Sequence, residues 1–223
     1  TQVALAALAT FAAMYAAASL LGLRLGGKRP VWLVDLACFT PPARLRVHRD
    51  LIIEAMKARG LFTPENIEFQ EKILERSGLG DATGLSDAIL RMKDGDIKTT
   101  LKDAMDETEM VLYDIVETLL RQTAVDPADI DVVITSCSCF APTPSMAAML
   151  VNRFKMRRDV LTYSMAGMGC SSSLVCIDLA KHLLQALPNK RVLVVNHENI
   201  TNNWYVGNDR SMLVVNCLFR LGG

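Results

Sequence analysis

Three short apolar runs, separated by helical patterns, most constrain the fold of this 223-residue chain. The runs are DVVITSCS at 131–138, VLTYSM at 160–165 and RVLVVNH at 191–197. Between them lie a helix that Thr143-Pro144 caps and that reaches about residue 155, and a helix over about 171–187 closed by Pro188-Asn189. Each is a mainly apolar run rather than an alternation of apolar and polar residues, which is typical of strands buried on both faces. The β-α-β-α-β order therefore predicts an α/β fold with a parallel sheet.

The part of the chain before these runs has mostly helical patterns. Val111, Ile115 and Leu119 recur at helical spacing and predict an amphipathic helix from about 101 to 123. Thr63 as an N-cap, followed by Pro64, predicts a helix that ends at Ser77-Gly78. Three further predictions are a helix over 46–59 ending at Gly60, a short helix near 85–92, and a β-like apolar run over 31–39.

Composition excludes several classes of protein. Hydrophobic residues make up 51% of the chain and charged residues 22%, which excludes intrinsic disorder and collagen-like sequence. The 24 basic residues equal the 24 acidic ones, so there is no excess positive charge to neutralise phosphates. Nucleic-acid binding is therefore not expected. The positive mean hydropathy of +0.24 suggests instead that part of the chain meets lipid.

That part is the N-terminal segment, residues 2–23. Its sequence, QVALAALATFAAMYAAASLLGL, carries no charge and is long enough to cross about 30 Å of hydrocarbon as one helix. Arg24, Lys28 and Arg29 follow at once, and by the positive-inside rule they place the downstream part in the cytosol. A buried, alanine-rich core helix is the alternative. The predicted organisation is a membrane anchor and hinge over 1–29, followed by a separate domain over 30–223.

The six cysteines do not indicate a metal site or a disulfide framework. They lie at Cys38, Cys137, Cys139, Cys170, Cys176 and Cys217. No CxxC pair is present, and no second pair or histidine lies near Cys137 and Cys139, so zinc is not expected. Reduced thiols in a domain that faces the cytosol fit the spacing better. All except Cys170 are expected to be small core residues.

Cys170 is the best candidate for chemistry. It lies in the sequence GMGCS, where the second predicted strand gives way to a helix. Helix N-termini present N–H groups and positive potential, which make a thiol there a better nucleophile and allow an oxyanion to be held. Ligands also bind at the carboxyl ends of parallel strands. From these features alone, Cys170 is either a nucleophile or a buried structural thiol.

Two other motifs are weaker candidates for a functional site. Gly167-x-Gly169 lacks both the third glycine and the following acid of a dinucleotide-binding loop. His197-Glu198 begins like a zinc-protease motif, but position 201 is Thr, so that motif fails. His197 ends the third predicted strand, at the same sheet edge as Cys170. It is expected to be a hydrogen-bonded strand-end residue, with a Cys170/His197 thiol hydrolase as the alternative.

Long stretches of the chain resemble the plant-type 3-ketoacyl-CoA synthases, the condensing enzymes of very-long-chain fatty acid elongation. The resemblance runs from about residue 31 to the end. It is carried by VWLVDLACFTPP, EFQEKILERSGLGDAT, FAPTPSMAAMLVNRFKMR, GMGCS, IDLAKHLLQ and ENITNNWYVGNDRSMLVVNCLFRLGG. Asn196-His197 departs from the small Ser-Thr pair that the family commonly has before the ENIT segment.

The resemblance implies a thiolase-like fold, related to chalcone-type synthases, with an anchor in the endoplasmic reticulum membrane. Residues 30–223 would be the N-terminal half of the condensing domain, one β-α-β-α-β repeat. The family's nucleophile is the cysteine of GMGCS, here Cys170. Phe219 resembles the phenylalanine that lines the active site of chalcone-type relatives. The family's catalytic His and Asn belong to a C-terminal half beyond residue 223, so the chain alone is expected to be inactive.

The reaction that the resemblance implies needs no resident cofactor and no metal. Its substrates would be a long-chain acyl-CoA and malonyl-CoA, joined through an acyl-cysteine at Cys170. The implied partners are a second copy of the chain in a homodimer and the reductase and dehydratase of the elongase, at the cytosolic face of the membrane. Besides the thiol hydrolase, a membrane-anchored scaffold or pseudoenzyme remains an alternative.

Overall fold

The computed structural model describes residues 12–14, 16–17, 29–91 and 98–223. The chain divides into two units, Thr1–Trp32 and Leu33–Gly223, and the second holds the sheet. Of the predicted membrane segment 2–23, only residues 12–14 and 16–17 are described, and these are helical. The rest of that segment lies outside the described residues. None of the helices that the structure describes is long and apolar enough to cross a membrane.

The described part of Leu33–Gly223 contains seven α-helices and three strands. In chain order they are α1 (Arg49–Arg59), α2 (Pro64–Arg76), α3 (Asp87–Arg91), α4 (Leu101–Thr123), β1 (Val132–Ser136), α5 (Met146–Arg153), β2 (Leu161–Met165), α6 (Ser172–Ala186), β3 (Val192–Asn196) and α7 (Arg210–Leu218). Short 3₁₀ turns cover Ala43–Leu45, Pro127–Asp129, Gly169–Ser171 and Thr201–Asn203. The helix predicted over 101–123 and all three strands of the predicted sheet are confirmed.

The three strands form one parallel sheet in the order β2-β1-β3. Val132 pairs with Leu161 on one side and with Val192 on the other, and the register continues to Ser136. All five residues of β1 are buried, whereas β2 is largely exposed. The predicted parallel α/β arrangement is therefore confirmed, but burial on both faces holds fully only for the central strand.

Local signals explain where the helices begin and end. The Thr63 hydroxyl caps α2 by accepting the N–H of Asn66, and Gly60 ends α1 in a left-handed conformation with φ +62°. Thr100 and Asp103 form a reciprocal capping box at the start of α4. The buried face of α4, which includes Val111, belongs to the main apolar core.

Two predictions about local structure are wrong. Residues 31–39 form no strand, and Trp32, Leu33 and Val34 are about four-fifths exposed, at 79%, 81% and 79%. A β-prone run becomes a strand only beside a partner, and within the described residues none pairs with it. Ser145 caps α5 in place of Thr143, because its hydroxyl reaches the N–H of Ala148 at 3.2 Å.

The burial predicted for the cysteines is confirmed for three and wrong for two. Cys137, Cys176 and Cys217 are buried, whereas Cys38 and Cys139 are exposed. Cys38 belongs to the extended segment that has no strand partner, and Cys139 lies beyond the end of β1, where the chain leaves the sheet. All six thiols are free.

Candidate active site

Cys170 lies in the turn that connects β2 to α6. It is exposed, and it is the middle residue of the 3₁₀ turn Gly169–Ser171, directly before the first residue of α6. Gly167 and Gly169 have φ values of +78° and +58°, a left-handed conformation that favours glycine. The two glycines therefore let the chain reverse sharply and present the thiol at the carboxyl end of the sheet, at the start of a helix.

A side chain from the neighbouring strand holds this turn. Ser138 follows the end of β1, and its hydroxyl oxygen accepts the backbone N–H of Gly169 at 2.8 Å. Because β1 and β2 are adjacent parallel strands, their carboxyl ends meet at one edge of the sheet. The residue before the candidate nucleophile is thereby tied to the central strand.

The Glu198 carboxylate fixes the backbone of Ser138. The Glu198 carboxylate accepts the backbone N–H of Ser138 at 2.9 Å and that of Cys139 at 3.0 Å. The Cys137 thiol adds a weaker contact, with its Sγ 3.4 Å from Oε2. One carboxylate that follows β3 therefore fixes the segment after β1 by side-chain-to-backbone hydrogen bonds.

The charge of Glu198 affects the thiols around it. Partial burial of Glu198 opposes ionisation, but the backbone N–H groups of Ser138 and Cys139 outweigh it, so its pKa lies below the ordinary value. Burial, and next the negative charge of Glu198, raise the pKa of Cys139. Burial raises the pKa of Cys137 to about 11. These two thiols are therefore poorly suited to act as nucleophiles at neutral pH.

Hydrogen bonds to α4 fix the segment after Glu198. Asn199 donates from its amide to the carbonyl of Ala104 at 2.8 Å and to the hydroxyl of Thr108 at 3.0 Å. Glu107 accepts the backbone N–H groups of Ile200 and Thr201 at 2.8 and 2.9 Å. Polar groups on one helix thus fix the ENIT sequence, which carries Glu198 at its start.

His197 is a hydrogen-bonded strand-end residue, as predicted, and does not pair with Cys170. It is 3% exposed, and its Nδ1 donates to the carbonyl of Gly222 at 2.7 Å. Its Nε2 is buried without a hydrogen-bond partner among the described residues, and burial lowers its pKa. Cys170 follows β2 and His197 follows β3, two strands that β1 separates, and none of the described hydrogen bonds joins the two side chains. The structure gives the Cys170/His197 hydrolase no support.

The structure places Phe219 at the end of α7. Its ring is half-buried and packs against the main apolar core. None of the described hydrogen bonds connects it to the Cys170 turn. Its predicted place beside the substrate stays a prediction.

A separate apolar cavity lies near α1 and α3. Its volume is about 270 Å³, and its walls include Ile52, Met56, Phe62, Ile89 and Trp204. Neither Cys170 nor Phe219 lines it. This cavity is therefore separate from the candidate active site, the open turn around Cys170.

The arrangement suits nucleophilic chemistry at Cys170, which is exposed at the first turn of a helix. Sequence reasoning located this thiol but missed Ser138 and Glu198. The only available signal was position, because Ser138 and Glu198 each follow the end of a predicted apolar strand. Parallel strands bring such residues to one edge, but nothing in the sequence specifies that Glu198 binds the backbone of another strand.

Sequence comparison gives a consistent match over most of the chain. The model of the family described as FAE1/Type III polyketide synthase-like protein matches residues 24–223. Two similar proteins from Arabidopsis thaliana are 3-ketoacyl-CoA synthase 11, 49% identical, and 3-ketoacyl-CoA synthase 2, 47% identical. Each match covers 87% of this chain but 38% and 36% of the relative. The chain thus spans less than two fifths of the length of these relatives.

Structural comparison identifies the fold. The chain is similar to 1,3,6,8-tetrahydroxynaphthalene synthase from Streptomyces coelicolor A3(2), with a TM-score of 0.70 and 18% identity over 83% of this chain and 53% of that one. It is equally similar to the C-terminal type III polyketide synthase domain of Steely1 from Dictyostelium, with a TM-score of 0.70 and 20% identity over 85% and 53%. At such identities the likeness shows the fold alone, and it confirms the predicted thiolase-like fold class.

Proposed function

Because the chain belongs to the FAE1/type III polyketide synthase-like family, we propose that it is part of a condensing acyltransferase that elongates long-chain acyl-CoA with malonyl-CoA. The observation that carries the proposal is the exposed Cys170 thiol in a glycine turn at the start of α6. The printed names of the relatives, 3-ketoacyl-CoA synthases, support this substrate class.

The reaction begins with acyl transfer to Cys170. The thiolate attacks the carbonyl carbon of the acyl-CoA thioester, a new thioester forms on the protein, and the CoA thiolate leaves. Backbone N–H groups at the start of a helix are suited to hold the oxyanion of the tetrahedral intermediate. This step separates loading of the acyl chain from carbon–carbon bond formation.

Condensation follows on the loaded enzyme. Malonyl-CoA loses CO2, the resulting carbanion attacks the acyl carbon on Cys170, and the Cys170 thiolate leaves. The product is a 3-ketoacyl-CoA two carbons longer than the acyl substrate. In this proposal the histidine and asparagine that polarise the malonyl thioester carbonyl come from the C-terminal half that the family resemblance implies, and no resident cofactor takes part.

The setting of the reaction is also a proposal. Residues 2–23, without charge and followed by Arg24, Lys28 and Arg29, support an anchor in the endoplasmic reticulum membrane with the catalytic part in the cytosol. The proposed partners are a second copy of the protein and the elongase reductase and dehydratase. Carbonate extraction with protease protection tests the topology, and release into the soluble fraction would contradict it.

Labelled acyl-CoA tests the chemistry in the full protein that contains this chain. Wild type is expected to carry the acyl group on Cys170, identified by peptide mass spectrometry, and to release 3-ketoacyl-CoA when malonyl-CoA is added. Cys170→Ser is expected to abolish both, whereas Cys176→Ser, at a buried thiol within α6, is expected to keep them. Elongation that survives in Cys170→Ser would overturn the proposal.

A further inference from the structure

The Cys170 turn has little to hold it apart from hydrogen bonds. A Cβ placed on Gly167 or Gly169 would meet no atom within 4 Å, so the turn is not confined by packing at these two glycines. Glycine also gives the backbone more freedom than any other residue. Within the turn, the Gly169 carbonyl accepts the Ser172 N–H and the Met168 carbonyl accepts the Ser171 hydroxyl. Among the described hydrogen bonds, the one from the Gly169 N–H to the Ser138 hydroxyl, at 2.8 Å, is what ties the residue before Cys170 to the neighbouring strand.

That restraint is only as rigid as Ser138, and Glu198 fixes Ser138. The backbone N–H of Ser138 lies 2.9 Å from one Glu198 oxygen and 3.0 Å from the other, and the N–H of Cys139 adds a third bond. Hydrogen bonds from backbone N–H groups to a carboxylate are among the stronger ones in proteins. The connection runs from Glu198 through Ser138 to Gly169, across all three strands of the sheet.

We infer that Ser138 and Glu198 are positioning residues that hold the Cys170 thiol in place for attack on the acyl thioester. The inference rests on the proposed function for its substrate. A nucleophile displaced by about 1 Å loses up to about 100-fold in rate, so loss of the Ser138 hydroxyl slows acyl transfer without removing the thiol. None of the described hydrogen bonds joins either side chain to the Cys170 thiol, and both act through the backbone of the turn.

The chain offers a conservative pair of variants at position 138. Ser138→Ala removes the acceptor for the Gly169 N–H, whereas Ser138→Thr keeps a hydroxyl in the same place. Ser164→Ala is the matched control, because its hydroxyl lies on β2, 3.4 Å from that of Thr135, and makes no described contact with the Cys170 turn. Glu198→Gln tests the second residue, with Glu117→Gln on the exposed side of α4 as its control.

Two measurements on the full protein test whether Ser138 and Glu198 position the Cys170 thiol. Amide hydrogen exchange at Gly169 reports the restraint, and the rate of acyl transfer from palmitoyl-CoA to Cys170 reports its consequence. Ser138→Ala and Glu198→Gln are each expected to speed exchange at Gly169 and to slow acyl transfer about 10-fold. The half-saturating palmitoyl-CoA concentration and the melting temperature are expected to stay near those of wild type, and Ser138→Thr to restore both rates.

The outcomes separate this inference from the proposed function. The inference is overturned if Ser138→Ala matches wild type in both measurements, or if Ser138→Thr is as impaired as Ser138→Ala. It is also overturned if the loss of rate follows the loss of thermal stability across the variants. A wild type that accepts no acyl group overturns the proposed function, and exchange at Gly169 then decides by itself whether the restraint exists.

Discussion

Glu107 on α4 and Thr201 in the segment after β3 are joined by a buried hydrogen bond, with the Thr201 N–H 2.9 Å from Oε2 of Glu107. The same carboxylate also accepts the Thr201 hydroxyl and the N–H of Ile200. Both Glu107 and Thr201 are almost fully buried, at 2% and 0% exposed. This pair connects the longest described helix to the segment that carries Glu198.

We expect Glu107→Ala to destabilise the fold by about 2–4 kcal/mol, because it leaves buried N–H groups without an acceptor. Burial raises the pKa of Glu107, so ionising it costs free energy in the folded state. Its stabilising effect is therefore largest in acid and declines as the pH rises through the raised pKa. Urea unfolding at several pH values measures this, with Glu117→Ala on the exposed side of α4 as the control. Equal losses in the two variants would contradict the prediction.

The stabilising effect of Asp131 depends on pH in the opposite direction to that of Glu107. It precedes β1, and its carboxylate accepts from Lys190 Nζ, the Arg191 N–H and an Arg157 guanidinium nitrogen, each at 2.9 Å. Burial opposes ionisation, but these bonds, led by that from Lys190, lower its pKa to about 2. Because this pKa is lower in the folded state than in the unfolded chain, where it is near 3.9, ionised Asp131 stabilises the fold at pH values above about 3.9. That contribution is lost as the pH falls towards about 2.

Asp131→Asn is therefore expected to cost about 1–2 kcal/mol of unfolding free energy at pH 7, and progressively less below about pH 4. The cations beside it are partly exposed, which limits the loss. Thermal unfolding between pH 7 and pH 2.5 measures the difference, with Asp114→Asn on the exposed side of α4 as the comparison. If the difference in stability between wild type and Asp131→Asn did not change with pH, the proposed stabilisation by the Asp131 charge would be wrong.

The cysteines are expected to react with iodoacetamide in an order set by exposure and by thiol pKa, which places the exposed Cys139 behind Cys38 and Cys170 because its pKa is raised. Cys38 and Cys170, which are exposed, should be labelled first at pH 7.5. Cys137 and Cys217 should be labelled last, because both are buried and burial raises the pKa of each to about 11. Peptide mass spectrometry over time gives the order. In denaturant all six should react at similar rates, and early labelling of native Cys137 would refute the order.

The exposed face of α6 is expected to promote self-association. Leu174 and Ile177 are 70% and 57% exposed and lie on one side of the helix, three residues apart. Leu174→Gln combined with Ile177→Gln should keep the chain monomeric at higher concentrations, measured by light scattering. Leu51→Gln combined with Leu101→Gln, at 58% and 67% exposed, is the control. An equal gain in the control would show that α6 is not the associating face.

The elements that sequence reasoning predicted are those that local chemistry specifies. The spacing of Val111, Ile115 and Leu119 predicted α4, and the three apolar runs predicted strands, because burial requires those patterns. Cys170 was predicted because its glycine turn and helix start are adjacent in sequence. Its role as nucleophile stays a prediction.

What the sequence did not reveal depends on contacts between distant segments. Ser138 and Glu198 are 60 residues apart, and their bond exists only because β1 and β3 pair. Residues 31–39 have the composition of a strand, but a strand also needs a partner, which composition cannot supply. Ser145 replaced Thr143 as the cap of α5 because the geometry of the preceding loop decided which hydroxyl reached the helix.

The strand order β2-β1-β3 bears on how the chain assembles. The first strand along the chain is the central one, and each later strand adds to a side of β1 that is still open. During synthesis from the N-terminus, β1 is therefore available as a template before either neighbour exists, and neither addition has to separate strands already paired. The strand order thus allows the sheet to grow outward in the order of translation, with one helical crossover to close for each added strand.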